Sequence, residues 1–513
     1  MKNGKRFLAI GLTAAMAAGL AACGSTGSTG TDTASSAVSS TEAAAETSTS
    51  AASESAASSD SAASNGDIVT LTWYAVGTGM PSNYDSWAEK VNAYLADKIG
   101  VNIDMQIIPW GDWESRRSVI VTTASDYDIL FTNVNTYTQD VNTGAFLDIT
   151  DLLDENCPEL MKLIPESYWD ACRVNGQIYA IPTYKDSSQS EYIVWDQDEV
   201  DKLGEDVSGI HELDDMTPVL QKELDATGET PFPMYSSANE WMSFDYDNFS
   251  SGLPAIGVRH DDEKAQVVAV FEQDDVQKRL STIRGWYEAG IVNSDAATKP
   301  EENAVYRFCN IAQGWSGAAK TSWGPSMGVN CSAYQWGPTV VSNDTVRGSL
   351  NCISANCEHP EKALQFLDLL NSDTWLRDMF YYGEEGVDWE YTDDKLVHRI
   401  KTDWTMAGYT QATFFTVSQT DDVDFNQWDE VKKLNENAEP SVLLGFTFDT
   451  TNVNDELTNC ISIYNNYKSE LLTGTVDPKE GAAQMMSEMR DAGFDDIQAE
   501  AQKQIDAFLA SKQ

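Results

Sequence analysis

Ile68-Val69-Thr70-Leu71-Thr72-Trp73-Tyr74, followed after a polar break by Trp87, Val91, Tyr94, Leu95 and Ile99 at helical spacing, is the stretch that decides the fold. The first seven residues are a β-rich run, Ser82 or Asn83 can cap the helix, and Gly100 can close it. Val101, Ile103, Met105 and Ile107 then alternate with polar residues up to Pro109, the period of a half-buried strand. A helix is expected from about Asp112 to Thr123 and a third strand from Tyr127 to Phe131. Strands spaced by helices in this way imply a parallel sheet with right-handed crossovers. Such sheets bind ligands beyond the carboxyl ends of their strands. Those ends carry Tyr74, Gly77 and Thr78 after the first strand, and Asn133, Asn135 and Tyr137 after the third.

Upstream of this unit the composition changes abruptly. Residues 24–66 are almost entirely Ser, Thr, Ala and Gly, with Val38 the lone branched aliphatic. Such a segment cannot bury enough apolar surface to fold, and as a flexible chain it would span roughly 36 Å. Before it, Lys2, Lys5 and Arg6 precede an apolar run from Phe7 to Ala18 and then Leu20-Ala21-Ala22-Cys23. That order is an export signal, too short to persist as a membrane-spanning helix, which needs about 20 residues. Leu-Ala-Ala-Cys matches the lipobox of bacterial lipoproteins. The match implies a removed signal over residues 1–22, a lipid (palmitate-type) anchor on Cys23, a linker over 23–66, and attachment to the outer face of the cell membrane.

The chain carries 33 basic and 81 acidic residues, and loss of Lys2, Lys5 and Arg6 leaves 30 against 81, a net of −51. A field of that sign repels phosphate backbones, which argues against nucleic acid as a partner. Beyond Cys23 stand Cys157, Cys172, Cys309, Cys331, Cys352, Cys357 and Cys460, an odd set without a C-x-x-C pair. They read as small hydrophobes, with Cys352 and Cys357 near enough in sequence to cross-link; neither a metal site nor a cofactor is expected. The run Asp421-Asp422-Val423-Asp424 lacks the spaced glycine and glutamate of a calcium loop and reads as solvated.

About 447 residues follow the linker, too many for one core and natural for two or three. The far end is helical: Asp477-Pro478-Lys479-Glu480 sets an N-cap with proline at the first helical position. Met486, Met489 and Arg490 lead to Gly493, and Ile497, Ala501, Ile505 and Phe508 form a second apolar stripe.

Val174-Asn175-Gly176-Gln177-Ile178-Tyr179-Ala180-Ile181-Pro182 resembles the D/N-G-K-x-Y-A-x-P signature of family 1 extracellular solute-binding proteins, the maltodextrin-binding type. Asp126-Tyr127-Asp128-Ile129 is similar to that family's P-D-I/V strand, with Tyr127 in place of proline, and Gly144 to Ile149 to its following turn. Gly285-Trp286-Tyr287-Glu288-Ala289-Gly290 resembles its W-Y-E-x-G helix end, and Ser349 to Pro360 its second crossing. Tyr382 to Val387 and Gly445-Phe446 to Leu509 resemble the C-terminal extension of a lipoprotein subset, in which Asp388-Trp389 stands here for the usual His-Tyr. The resemblance implies an α/β, two-lobed Venus-flytrap fold, each lobe a mostly parallel sheet flanked by helices. Lobe 1 would comprise 67–182 plus 349–385, lobe 2 183–348, and a mostly helical extension 386–513. It further implies a monomer that is not an enzyme, closing on a sugar or oligosaccharide and delivering it to the permease subunits of an ABC importer.

Sugars present apolar C–H faces ringed by hydroxyls, so their sites combine flat aromatic platforms with neutral amides and carboxylates. Fifteen tryptophans suit that demand, although most buried indoles fill cores. By the resemblance, Trp241 and Trp315 fall where the family carries stacking aromatics. Trp323 is a further candidate, while Trp73, Trp110 and Trp389 lack a positional argument. Asn133, Asn135, Asn239 and Glu240 can bond sugar hydroxyls or serve as turn caps. Tyr184 and Asp186 follow the first crossing, where Lys185 and Asp186 can line the cleft or pair with each other. Glu385 can contribute to ligand or to lobe contact. Four histidines with no H-E-x-x-H, G-x-S-x-G or P-loop give catalysis no motif. The rival readings are a secreted glycan-active hydrolase, whose two carboxylates could hide among the acids, and a surface glycan-binding adhesin.

Overall fold

The computed structural model describes residues 68–123, 126–237, 240–249, 252–300 and 305–512. The signal, Cys23 and the linker to residue 66 therefore lie outside the described residues. Four strands open the chain's first sheet: β1 (Val69–Gly77), β2 (Val101–Pro109), β3 (Ile129–Thr132) and β4 (Ala180–Pro182). The chain then crosses to build β5 (Gln189–Asp196), β6 (Cys309–Gln313) and β7 (Cys331–Val341) of a second sheet. It returns as β8 (Leu350–Ile353) and touches the second sheet again with β9 (Glu439–Pro440).

The sheet orders are β2-β1-β3-β8-β4 and β6-β5-β7-β9. In the first, β1 runs parallel to both neighbours, in register with β2 from Val69↔Val101 to Gly77↔Pro109. The period-2 pattern explains the packing: Leu71, Trp73 and Ala75 are fully buried. The Trp73 ring lies 5.8 Å from Phe366 and 6.1 Å from Phe380. Helix α1 (Tyr84–Ile99) buries Trp87, Val91 and Leu95 on the same side, and Gly100 ends it in the left-handed region at φ 67° with its N–H on the Ala96 and Leu95 carbonyls. Helix α2 (Trp110–Thr123) follows β2 without a gap and buries Trp113 and Ile120, the Trp113 ring 5.6 Å from Phe131 of β3.

The second sheet corrects one expectation. It is chiefly antiparallel: β5 pairs antiparallel with both β6 and β7, and only the short β7–β9 pair is parallel. Direction follows from the crossing. β5 leads away from the first lobe, whereas β6 and β7 return toward it, so both meet β5 head to tail. Nearly every residue of β5 is buried, as a central strand covered on both faces requires.

Among the described residues, 386–512 build no core of their own. Trp389, Val397, Trp404, Phe414 and Trp428 join the core of the first sheet with helices α3 (Pro360–Ser372) and α4 (Thr374–Tyr382). Helix α5 (Gln427–Glu436) then leads into a third crossing. Beyond it, Leu443, Phe446, Met485, Met489, Ile497 and Ile505 pack into the core of the second sheet. Asp477 caps its helix as expected, accepting from the N–H groups of Lys479 and Glu480. The seven cysteines from Cys157 to Cys460 are all free thiols. Among the described residues no helix is long and apolar enough to cross a membrane.

Candidate functional site

The points where the chain changes lobe show which edges face each other. Pro182 and Leu350 pair with one another, and Leu350 with Thr132 at the carboxyl end of β3. The carboxyl mouth of the first sheet therefore looks toward the second lobe. On that lobe the facing edge holds the start of β5 and the ends of β6 and β7, because Gln313 pairs with Glu191 and Val340 with Gln189.

On the first lobe this mouth is floored by a loop, residues 405–413. The Thr78 N–H donates to the Thr405 carbonyl at 2.9 Å, so the loop caps β1. Gly77 is required there, since a Cβ would lie 2.3 Å from that carbonyl oxygen. The loop presents Tyr409 beside Trp110, the residue after β2. Their rings are stacked, 6.0 Å apart and 5° from parallel, and Trp110 is 40% exposed. An exposed tryptophan aligned with a tyrosine is a flat, apolar surface open to the space between the lobes. Its rim is polar. The Lys185 ammonium lies 5.9 Å over the Tyr409 ring and is neutralised by Asp186 at 2.6 Å. A crevice of about 490 Å³ adjoins the platform, lined by Tyr74, Met80, Gln106, Ile108, Asp112 and Arg116.

Across from it, Gly314-Trp315-Ser316-Gly317 turns out of β6. The Glu430 carboxylate of α5 accepts from the Ser316 N–H at 2.8 Å, the Ser316 hydroxyl at 2.5 Å and the Gly317 N–H at 2.9 Å. Trp315 packs 5.7 Å from Trp428, which rests 4.3 Å from Phe414 in the first core. Helix α5 is thus fixed to the first lobe and bonded to the second. It also holds the first crossing, where Ser188 donates to Asn435 at 2.8 Å.

The sequence-derived candidates divide accordingly. Thr78 is exposed at the mouth, Tyr74 lines the crevice, and Asp186 forms the ion pair under the platform rim. Asn135 is exposed beside them, but its N–H is taken by the Asn133 side chain, so Asn133 does turn-capping duty. Tyr137 and Tyr184 belong to the core instead of the cleft. Tyr137 is fully buried with its hydroxyl on the Cys172 carbonyl, and Tyr184 sits edge-on between Tyr168 and Phe415. Trp241 is 8% exposed and wedged against Phe232 and Trp336, so in this arrangement it fills the second core. Trp315 is likewise buried, as a lobe-to-lobe contact, and Trp323 is half-buried over Tyr192. Glu385 accepts from the Trp375 indole at 2.8 Å and is a packing residue of the first lobe. Asn239 lies outside the described residues, and Glu240 opens the 3₁₀ turn that carries Trp241.

Of the platform, Trp110 was named without a positional argument and Tyr409 was not named. Trp110 had a signal, an aromatic directly after a strand that ends in Pro109. Tyr409 had none, because its place depends on side chains far away in the chain.

Comparison with known proteins agrees with this architecture. A family model described as a domain of unknown function, DUF3502, matches residues 442–510. A Streptococcus pneumoniae protein named carbohydrate ABC transporter substrate-binding protein is 28% identical over 463 residues, 88% of this chain and 93% of its own length. The crystal structure of the N-glycan transport solute binding protein NgtS from that organism superposes with a TM-score of 0.79 at 26% identity, covering 86% of this chain and all of the other. Over the same 86%, the score is 0.69 for NgtS in complex with Man1GlcNAc and 0.66 for its complex with Man5GlcNAc. The described chain has the two-lobed solute-binding-protein fold, and its named relative is a carbohydrate-transport binding protein.

Proposed function

We propose that this chain, a solute-binding protein by fold and by relationship, captures a neutral oligosaccharide between its lobes and hands it to the permease of an ABC importer. The observation that carries the reading is the exposed Trp110–Tyr409 stack at the mouth that faces the second lobe. Pyranose C–H faces stack on such a surface, and the neighbouring amides and the neutralised Lys185–Asp186 pair suit hydroxyls rather than a charged sugar. Closure fits the observed connections. Among the described residues the lobes are joined by the crossings, by α5 and by the Arg347 bonds to the Ala171 and Arg173 carbonyls, and the higher superposition score with the first NgtS structure than with its two sugar complexes supports an arrangement distinct from the sugar-bound one. The protein is a binder and returns its ligand unaltered. Its lipid anchor on Cys23 keeps it at the outer face of the membrane, where residues 24–66 act as a tether, and it works as a monomer.

Titration calorimetry of the mature chain against maltodextrins, chito-oligosaccharides, manno-oligosaccharides and the NgtS ligands Man1GlcNAc and Man5GlcNAc tests this, with chromatography of the recovered sugar. Saturable binding of at least one glycan and intact recovery is expected. Cleaved product would favour the hydrolase reading, and no binding across the panel would refute the proposal.

A further inference from the structure

We infer that Arg377, buried in helix α4 and out of reach of any ligand, is the positioning residue of the sugar platform: it and β8 lock the loop that presents Tyr409. This deepens the proposed function and rests on it. The loop opens with a short 3₁₀ turn over Gly408–Thr410, in which the Gln411 N–H reaches the Gly408 carbonyl at 3.4 Å, yet every carbonyl from Gly408 to Thr413 also accepts from a side chain. The Arg377 guanidinium donates to Gly408 at 2.8 Å, Ala412 at 3.1 Å and Thr413 at 2.7 Å. Ser349 donates to Tyr409 at 2.9 Å, and Asn351 to Thr410 at 3.0 Å and Gln411 at 3.2 Å.

Three features make this a clamp rather than incidental packing. Arg377 is fully buried and has no carboxylate bonded to it, so the carbonyl dipoles of this loop join the Tyr381 ring, 5.1 Å away, and the nearby charge of Asp378 in balancing its charge. Burial pulls its pKa down to about 10, which still leaves it protonated at neutral pH. Its planar fork spans carbonyls that are four and five residues apart in sequence, which the single ammonium of lysine cannot do. The close approach of Gly408 to Tyr381, 2.5 Å from ring to a notional Cβ, shows that the loop is seated down onto α4. A stacking surface gains affinity when it is ordered before the ligand arrives, because ordering then costs nothing on binding.

The test combines amide exchange with a double-mutant cycle, using Arg377→Lys, Tyr409→Ala and the double variant, with Man5GlcNAc and the glycan panel above as probes. Arg377→Lys should speed exchange over residues 405–413 while the rest of the first lobe stays protected, and weaken binding by about tenfold. In the Tyr409→Ala background the same change should alter affinity by less than about twofold, because it acts only through that ring. Full additivity, or an Arg377→Lys affinity equal to that of the natural chain, overturns the inference. Should Arg377→Lys not fold, Ser349→Ala, which removes the donor to Tyr409 together with the hydroxyl's 3.1 Å bond to Thr183 on the first crossing, is judged by the same two criteria at about threefold. If no probe binds the natural chain, the proposed function fails instead. The clamp is then judged by exchange alone, and unchanged exchange in Arg377→Lys overturns it.

Discussion

Trp110→Ala removes a ring that is 40% exposed at the mouth of the cleft. An indole offers up to roughly 250 Å² to a partner, so a sugar stacking on the open part covers about 100 Å², equivalent to at most about 2.5 kcal/mol. That corresponds to a loss of affinity of up to roughly sixtyfold. The cost to the fold is smaller, about 1 kcal/mol for the lost pairing with Tyr409, or a few degrees in Tm. Trp241→Ala is the matched control. With 8% exposure against Phe232 and Trp336 it should cost about 3–5 kcal/mol of stability, seen as a large drop in Tm, with the affinity of the folded fraction unchanged. Calorimetric titration with a glycan that binds the natural chain, together with thermal unfolding without ligand, reads both quantities on each variant. If Trp110→Ala binds within about twofold of the natural chain while Trp241→Ala loses affinity, the platform has been placed on the wrong ring.

Glu430→Ala frees the Ser316–Gly317 turn from α5 and should favour closure. Affinity should then rise by a common factor of about threefold to tenfold for every glycan bound, and a rise confined to one glycan would mean that Glu430 touches ligand. Asp247 is 4% exposed, and burial raises its carboxyl pKa to about 6 against the donor effect of Ser441. A raised acid pKa favours the protonated folded state, so its contribution is fully present below about pH 4 and is lost as the pH passes 6. Asp247→Asn should therefore gain about 2–3 kcal/mol on the natural chain between pH 4 and pH 8; unfolding curves whose difference is flat across that range would contradict the assignment. Cys23→Ala should move the protein from the detergent phase to the aqueous phase without changing affinity, and continued partitioning into detergent would refute the lipid anchor.

The first lobe was legible because its strands and helices carry their own periodicity. Leu71, Trp73 and Ala75 on one face and the Trp87-Val91-Leu95 stripe each declare a buried side without reference to the rest of the chain. The second sheet was not, since the direction of β6 and β7 is set by where the crossing leaves them. Nothing local in Cys309–Gln313 or Cys331–Val341 encodes an antiparallel pairing with β5. The division of residues 386–513 between two cores was hidden for the same reason: Trp428 and Phe446 look alike in sequence but pack on different sheets. At the site, sequence position favoured Trp241 and Trp315, which in this arrangement are buried, one in the second core and one between the lobes. Tyr409 was invisible because its orientation is imposed by Ser349, Asn351 and Arg377, each dozens of residues away.

Small-angle scattering of the mature chain, titrated with a glycan that binds in the calorimeter, tests most directly whether the lobes close on sugar. The radius of gyration should fall in a saturable, one-to-one manner, and should stay near the ligand-free value in Trp110→Ala at sugar concentrations that just saturate the natural chain. A radius unchanged by a glycan that demonstrably binds would contradict capture by closure.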